Sequence, residues 1–342
     1  MRATVNIAIF VTALALCFAA LGMFTPPPRV EIVSPKLAYL ADHADDFDVF
    51  FLGSSRTYRQ IIPEVFDQLM AEGGHPVRSF NLGVEGMRPP EDTYVFEKAL
   101  ARRTTPLKLV LVESNAIRLA VRDGDDGTLR ATYWHDTKRT MTLFRRAFLA
   151  DKKKRNWRDR IGKLAEQAAQ FAEHAMYWLE NTSHAGRGHE MLGSWLSPGG
   201  PNPLHLHDLG PRLDGYSRSL ANARMDPASV PAYEKAIAGM IEKPPRADFG
   251  GSVDQAEVRE KKRLIESHGG RMFVVIPPYA GTKFFLPEPG PDAPPALEFW
   301  NPKLYPDLFA TENHSDAGHV NHAGAERYTR HIVRELLKHL SR

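Results

Sequence analysis

The chain has 342 residues and a mass of 38.4 kDa, room for one large domain or two small ones. Hydrophobic residues make up 43% and charged residues 25%, a globular balance that excludes wholesale disorder. A single cysteine, Cys17, excludes intramolecular disulfides and a cysteine-based zinc site, and a net charge of +3 is too small to point to nucleic acid.

Arg2 is followed by an almost uncharged run, Asn6 to Phe24, close to the ~20 residues a helix needs to cross a bilayer. The run is long for the apolar part of a signal peptide, and no small-x-small cleavage site follows it. Residues 1–29 are therefore expected to form an uncleaved membrane anchor, with a cleaved signal peptide as the alternative. Leu16, before Cys17, is too bulky for a lipoprotein site. Pro26-Pro27-Pro28 ends the helix, and Arg2, a positive-inside cue, places the remainder outside the cytoplasm.

Asp48-Val-Phe-Phe-Leu52 is an apolar run closed by Gly53, which suits a buried parallel strand. Pro63 opens a helix with Val65, Phe66, Leu69 and Met70 on one face, and Gly73-Gly74 stops it. Ser79 to Leu82 is a short second strand. Pro89-Pro90 opens a helix carrying Tyr94, Val95, Phe96, Ala99 and Leu100. Leu107 to Val112 is a third strand, Arg271 to Ile276 a fourth, and Ile332, Val333, Leu336, Leu337 and Leu340 mark a last helix. This alternation predicts an α/β protein of three α/β/α layers around a mostly parallel sheet.

Residues 121–255 break the pattern and are expected to form an insertion or cap. Lys138 to Asn181 reads as helical, and Gly186 to Arg224, rich in Gly, Pro and His, as irregular. From Lys138 to Lys163 there are 11 basic and 2 acidic residues, a charge of +9 that leaves the rest of the chain at −6. The run Lys152-Lys153-Lys154-Arg155 reads as a solvated helix face, or as a contact for anionic lipid or an acidic polysaccharide. Phe144, Phe148, Trp157, Phe171 and Trp178 interleave with these charges and are expected to bury the helix against the domain.

Open parallel sheets bind ligands at the carboxyl ends of their strands. The first apolar run is followed by Gly53-Ser54-Ser55-Arg56, the second by Gly83-Val-Glu-Gly86, and the third by Glu113-Ser114-Asn115. Near the C-terminus stands Asp316-Ala-Gly-His319-Val-Asn321-His322. A serine, a histidine and an acid are what acyl transfer needs: imidazole takes the serine proton, and the carboxylate fixes the tautomer.

These blocks, in this order, resemble the SGNH (GDSL-like) hydrolases over about residues 30–120 and 265–340. The resemblance puts the nucleophile on Ser55, its base on His319 and the orienting acid on Asp316. It puts oxyanion donors on Gly86 and Asn115, and it calls for no cofactor and no metal. Two departures stand out. Ser54 occupies the position of the family's aspartate, and the third block lacks the Gly-x-Asn-Asp form. Gly-Ser-Ser with an N-terminal anchor resembles the membrane-tethered branch that O-acylates exported polysaccharides, including alginate acetylation proteins and the teichoic-acid D-alanylation protein. That branch implies a single-pass protein of the bacterial inner membrane with a periplasmic domain. Its partners would be an exported glycan or acyl ester and a membrane-bound O-acyltransferase.

Other readings of the same residues stay open. Gly53 to Arg56 would also serve as a helix cap or phosphate-binding turn, and Ser54 is the competing hydroxyl. Asp316 would also make an Asx-turn beside a surface histidine, or join His319 and His322 on a metal. His205-Leu-His207-Asp208 has a metal-like look inside a Pro/Gly/His-rich loop. A non-catalytic glycan- or partner-binding scaffold and a lipid-directed esterase are the rival functions.

Overall fold

A computed structural model describes residues 2–25, 28–122, 124–149, 157–184 and 209–341. The chain divides into two compact units: Met1–Ser34 with Arg118–Leu204, and Pro35–Ile117 with His205–Arg342.

The second unit is built on a parallel five-stranded sheet. Its strands are β1 (Val49–Leu52), β2 (Ser79–Asn81), β3 (Leu109–Glu113), β5 (Arg271–Ile276) and β7 (Ala296–Glu298), in the order β2-β1-β3-β5-β7. Every neighbour is parallel, with Val49 opposite both Ser79 and Leu109, Leu109 opposite Arg271, and Val274 opposite Ala296. Two short pairs lie outside this sheet: β4 (Arg246–Asp248) with β6 (Lys283–Phe285), and the antiparallel β8 (His314–Asp316) with β9 (His319–Val320).

Both faces of the sheet are buried, so its strands read as continuous apolar runs. Alternate residues of β1 supply the two cores. Val49 and Phe51 join Phe66 and Met70 of α4 (Pro63–Glu72), and Ile332 and Leu336 of the C-terminal helix His322–Leu340. On the other face Phe50 meets Phe80 and also Phe96 of α5 (Glu91–Leu100), each edge-on with ring centroids 6.2 Å apart. The helix Ser252–Ser267 packs against β5 on its way into that strand. The protein is thus α/β with three layers, as the alternation predicts.

The fifth strand is not legible in sequence. Ala296-Leu-Glu298 is three residues long, and only Leu297 is apolar and buried. The interruption expected over 121–255 is also not one piece. Residues 118–204 belong to the first unit, whereas Leu209, Tyr216, Met225, Tyr233 and Met240 are buried in the second. Leu209, Tyr216 and Met225 lie too far apart in sequence to show a helical or strand period, whereas Tyr233 and Met240 stand two turns apart on the helix Val230–Glu242. Lys152 to Arg155 and His205 to Asp208 lie outside the described residues.

The first unit is helical: α1 (Arg2–Phe24), α6 (Leu129–Tyr133), α7 (Thr137–Leu149) and α8 (Trp157–Ser183). α1 is long and apolar enough to cross a membrane. α8 packs against α6 and α7, with Phe144 stacked on Phe171 at 3.7 Å between ring centroids. Trp178 Nε1 donates to Thr137 Oγ1 at 3.1 Å. Phe148 and Phe171 correct the sequence expectation, for they are 86% and 49% exposed instead of buried against the domain, and the side chain of Trp157 lies outside the described residues.

A histidine pair is fully enclosed in this unit. His135 Nδ1 contacts the Ala131 carbonyl, His174 Nε2 lies 2.8 Å from the Leu119 carbonyl, and the two rings meet at 3.0 Å. Burial, then the neighbouring His174, pushes His135 down from 6.5 to about 3. The unfolded chain takes up this proton near pH 6.5 while the folded unit refuses it, so stability is complete above pH 6.5 and falls as pH drops toward 3. We expect circular-dichroism melts to show a lower midpoint near pH 5 than near pH 7, and His135→Gln to flatten the difference.

Candidate active site

The carboxyl end of β1 turns directly into α3 (Ser55–Tyr58), a single helical turn. Gly53 makes the turn possible. A Cβ there would stand 2.2 Å from Thr57 Oγ1 and 2.5 Å from Glu113 Cβ, a gap no side chain fits. Ser54 caps the turn by accepting from the Arg56 amide at 3.3 Å. Ser55 is the first helical residue, where amides lack intrahelical acceptors. Among the described residues no acceptor is paired with its amide.

The turn is held from β3 by one carboxylate. Glu113 accepts from the Ser54 amide at 2.7 Å, from Ser54 Oγ at 2.8 Å and from Thr57 Oγ1 at 3.1 Å. Arg56 Nε stands 3.2 Å from the same carboxylate, and the Asn115 side chain also bonds to it. Burial pushes the Glu113 carboxyl up, but Arg56 and these hydrogen bonds outweigh it and hold it below its ordinary value. The Arg56 guanidinium in turn lies 4.6 Å from the centre of the Tyr279 ring.

The histidine arrives from the other end of the chain. β8 and β9 form a tight hairpin just before the C-terminal helix, and Ser315 Oγ donates to the His319 carbonyl at 3.1 Å. Ser55 Oγ lies 2.7 Å from His319 Nε2, and His319 Nδ1 lies 3.0 Å from both Asp316 oxygens. A carboxylate only accepts, so Nδ1 carries the proton and Nε2 is free to accept from the serine. Burial raises the Asp316 carboxyl, but hydrogen bonds from His319 and from the Gly318 amide bring it below its ordinary value. The Gly318 amide bond, 2.7 Å to Oδ1, is an Asx-turn, so that reading and the orienting role hold together. The site is open: the side chains of His319 and Asp316 are 24% and 56% exposed.

The loop after β2 is fixed from below. Asn81 Nδ2 donates to the Thr57 and Ile61 carbonyls at 2.7 and 2.9 Å, while its Oδ1 accepts from the Gly83 amide at 2.9 Å. The buried Lys36 ammonium donates to the carbonyls of Asn81, Gly83 and Gly215 at 2.8, 2.6 and 2.9 Å. It also sits 4.1 Å from the centre of the Tyr58 ring. Glu85, in the same loop, pairs with Arg59 of the turn after α3. Gly86 has φ +69°, a left-handed conformation that favours glycine.

The structure brings Ser55, His319 and Asp316 together as one chain of hydrogen bonds. It sets Asn115 beside the turn, on Glu113. His322 is turned aside, with Tyr216 Oη 3.1 Å from its Nδ1 and Glu326 3.6 Å from its Nε2. Glu113, Arg56, Lys36 and Asn81 are the residues that sequence reasoning missed. A charge pair was visible there, Arg56 and Glu113 following two parallel strands, but only adjacency of β1 and β3 makes them neighbours. No family model matches the chain, and no curated protein or solved structure shows significant similarity to it.

Replacing Glu113 tests this bracing. Glu113→Gln leaves Arg56 without its charge partner, and we expect a loss of about 3 kcal/mol in chemical denaturation at neutral pH. Because the Glu113 carboxyl sits below 4.5, its contribution is complete above pH 4.5 and falls away below it. The gap between wild type and Glu113→Gln should therefore narrow as the pH is lowered through that value.

Proposed function

We propose that this protein is a membrane-anchored serine acyl-transfer enzyme of SGNH type, most concretely an O-acetyltransferase or esterase acting on an exported polysaccharide. The observation that carries the reading is the unbroken contact from Ser55 Oγ to His319 at 2.7 Å and on to Asp316 at 3.0 Å. Three side chains from opposite ends of the chain rarely align in this way unless a proton is to be moved.

In the first step His319 Nε2 takes the Ser55 proton as Oγ attacks the acyl carbonyl. The imidazolium is steadied by Asp316. The Ser55 amide in the first turn of α3, the Gly86 amide and the Asn115 side chain form the proposed oxyanion site. Each such donor contributes roughly 10²–10³ in rate. Collapse breaks the bond to the leaving alkoxide, which takes the proton back from His319, and leaves an ester on Ser55. A sugar hydroxyl or water then gives its proton to His319, attacks that ester and restores Ser55.

Support for a bulky acceptor comes from the open triad, which a polymer hydroxyl can approach without first entering a deep pocket. The carboxylate that a Gly-Asp-Ser turn carries at its middle position is supplied here by Glu113, against which Ser54 donates. The altered motif is thus physically compensated, which favours an enzyme over an inert scaffold. α1 would tether the domain to the bacterial inner membrane on its periplasmic side. There a membrane-bound O-acyltransferase would deliver the acyl group.

Intact mass of the full chain in detergent, after exposure to a fluorophosphonate, tests the reading. We expect one adduct on wild type and on Ser54→Ala, none on Ser55→Ala, and labelling slowed by about 10⁴ in Asp316→Asn. A folded wild type that takes no adduct would sink the proposal and leave the glycan- or partner-binding scaffold. With an aryl acetate as donor, acetyl groups recovered on an added acidic glycan distinguish transfer from hydrolysis.

A further inference from the structure

The helical unit carries a feature that the triad does not use. One face of α8 turns inward, with His174 and Tyr177 buried. The opposite face is exposed and almost wholly apolar. Leu164, Ala168, Phe171, Ala172, Met176 and Leu179 fall within a stripe of about 140° at the ordinary helical twist. Leu164 is 62% exposed, Met176 57% and Leu179 48%. Among the exposed described residues of α8, only Glu166 is charged. α7 extends the patch with Met141 and Phe148. Contiguous apolar surface of this kind marks an interaction site.

Two observations say what covers it. The first is geometric. α1 belongs to the same compact unit and touches α8, with Gly22 directly beside the His184 ring. Residues Arg2 to Cys17 of α1 are exposed, while Phe18, Ala20, Leu21 and Gly22 are half-buried. The exposed stretch rises about 24 Å, short of the roughly 30 Å hydrocarbon core. A span built on α1 therefore needs its last turns in the bilayer as well. Those turns are the ones that pack on the helical unit, so the unit meets the headgroup layer. The second observation is charge. α7 carries exposed Lys138 and Arg145 and half-buried Arg146 and no acidic residue, and half-buried Lys163 precedes the α8 stripe in sequence.

We propose that the α7–α8 face lies on an anionic phospholipid bilayer, with the apolar stripe at the acyl boundary and the basic residues among the phosphates. The proposal rests on α1 being a membrane span, and it is independent of the chemistry at Ser55.

The test uses the full chain reconstituted in vesicles of phosphatidylcholine, with or without a quarter phosphatidylglycerol. Native Cys17, labelled with a fluorophore, reports on α1. In a Cys17→Ser background, L164C, M176C and L179C carry the same label on the stripe. We expect nitroxide lipids to quench the three stripe labels at least about two-fold, aqueous iodide to be excluded, and quenching to deepen with phosphatidylglycerol. Stripe labels open to iodide would overturn the proposal. So would labels shielded from iodide yet untouched by lipid, which would mean a protein covers the face. Equal quenching in the two vesicles would overturn the headgroup contact. A Cys17 label that lipid does not reach would remove the anchor and the proposal together, whereas a quenched Cys17 beside unquenched stripe labels would remove the surface contact alone.

Discussion

One buried carboxylate organises the carboxyl end of the sheet. Glu113 ends β3, and Ser54 follows the end of β1, so parallel pairing sets them side by side. The carboxylate takes three hydrogen bonds from the turn and faces the Arg56 guanidinium. A charge in so dry a place is costly unless it is fully partnered. Here the partners belong to the turn that carries Ser55. The turn therefore cannot relax without stranding the charge, and Ser55 is held where His319 reaches it.

The surrounding loops obey the same rule. Lys36 is a buried cation satisfied by three backbone carbonyls, which ties the loop after β2 to residues near Gly215. Asn81 links that loop to the carbonyls beside α3. Loops in open α/β sheets carry function because the sheet is rigid beneath them. In this protein the rigidity is extended upward by a few buried polar groups, each fully engaged. The hairpin that bears Asp316 and His319 has its own supports. Asn321 Nδ2 donates to the Glu312 carbonyl at 2.7 Å, and its Oδ1 caps the C-terminal helix.

The two units follow different physics. The sheet unit hides its aromatic residues, with Phe50, Phe51, Phe66, Phe80 and Phe96 all fully buried. The helical unit leaves Phe148 and Phe171 exposed and gathers basic charge on α7. A helix with an apolar outer face, in the same unit as a helix able to span a membrane, fits the proposed place between water and lipid.

The sequence by itself determined the elements that depend on local pattern. Apolar runs of four to six residues marked β1, β3 and β5, the first closed by Gly53 and the last by Pro277, because a strand buried on both faces needs a largely apolar run. The amphipathic period marked α4 and the C-terminal helix, and unbroken hydropathy marked α1. Ser55, Asp316 and His319 could be singled out too, as residues following strands and as Asp316 and His319 three apart, because side-chain chemistry and spacing are local properties. Tertiary structure alone decided the rest. β7 was too short to carry a pattern, and residues 209–229 joined the sheet unit through scattered anchors with no common period. Glu113, Arg56 and Lys36 acquired their roles only when distant backbone segments met. The worth of a buried charge depends on what the fold places around it, and a chain read residue by residue does not contain that distance.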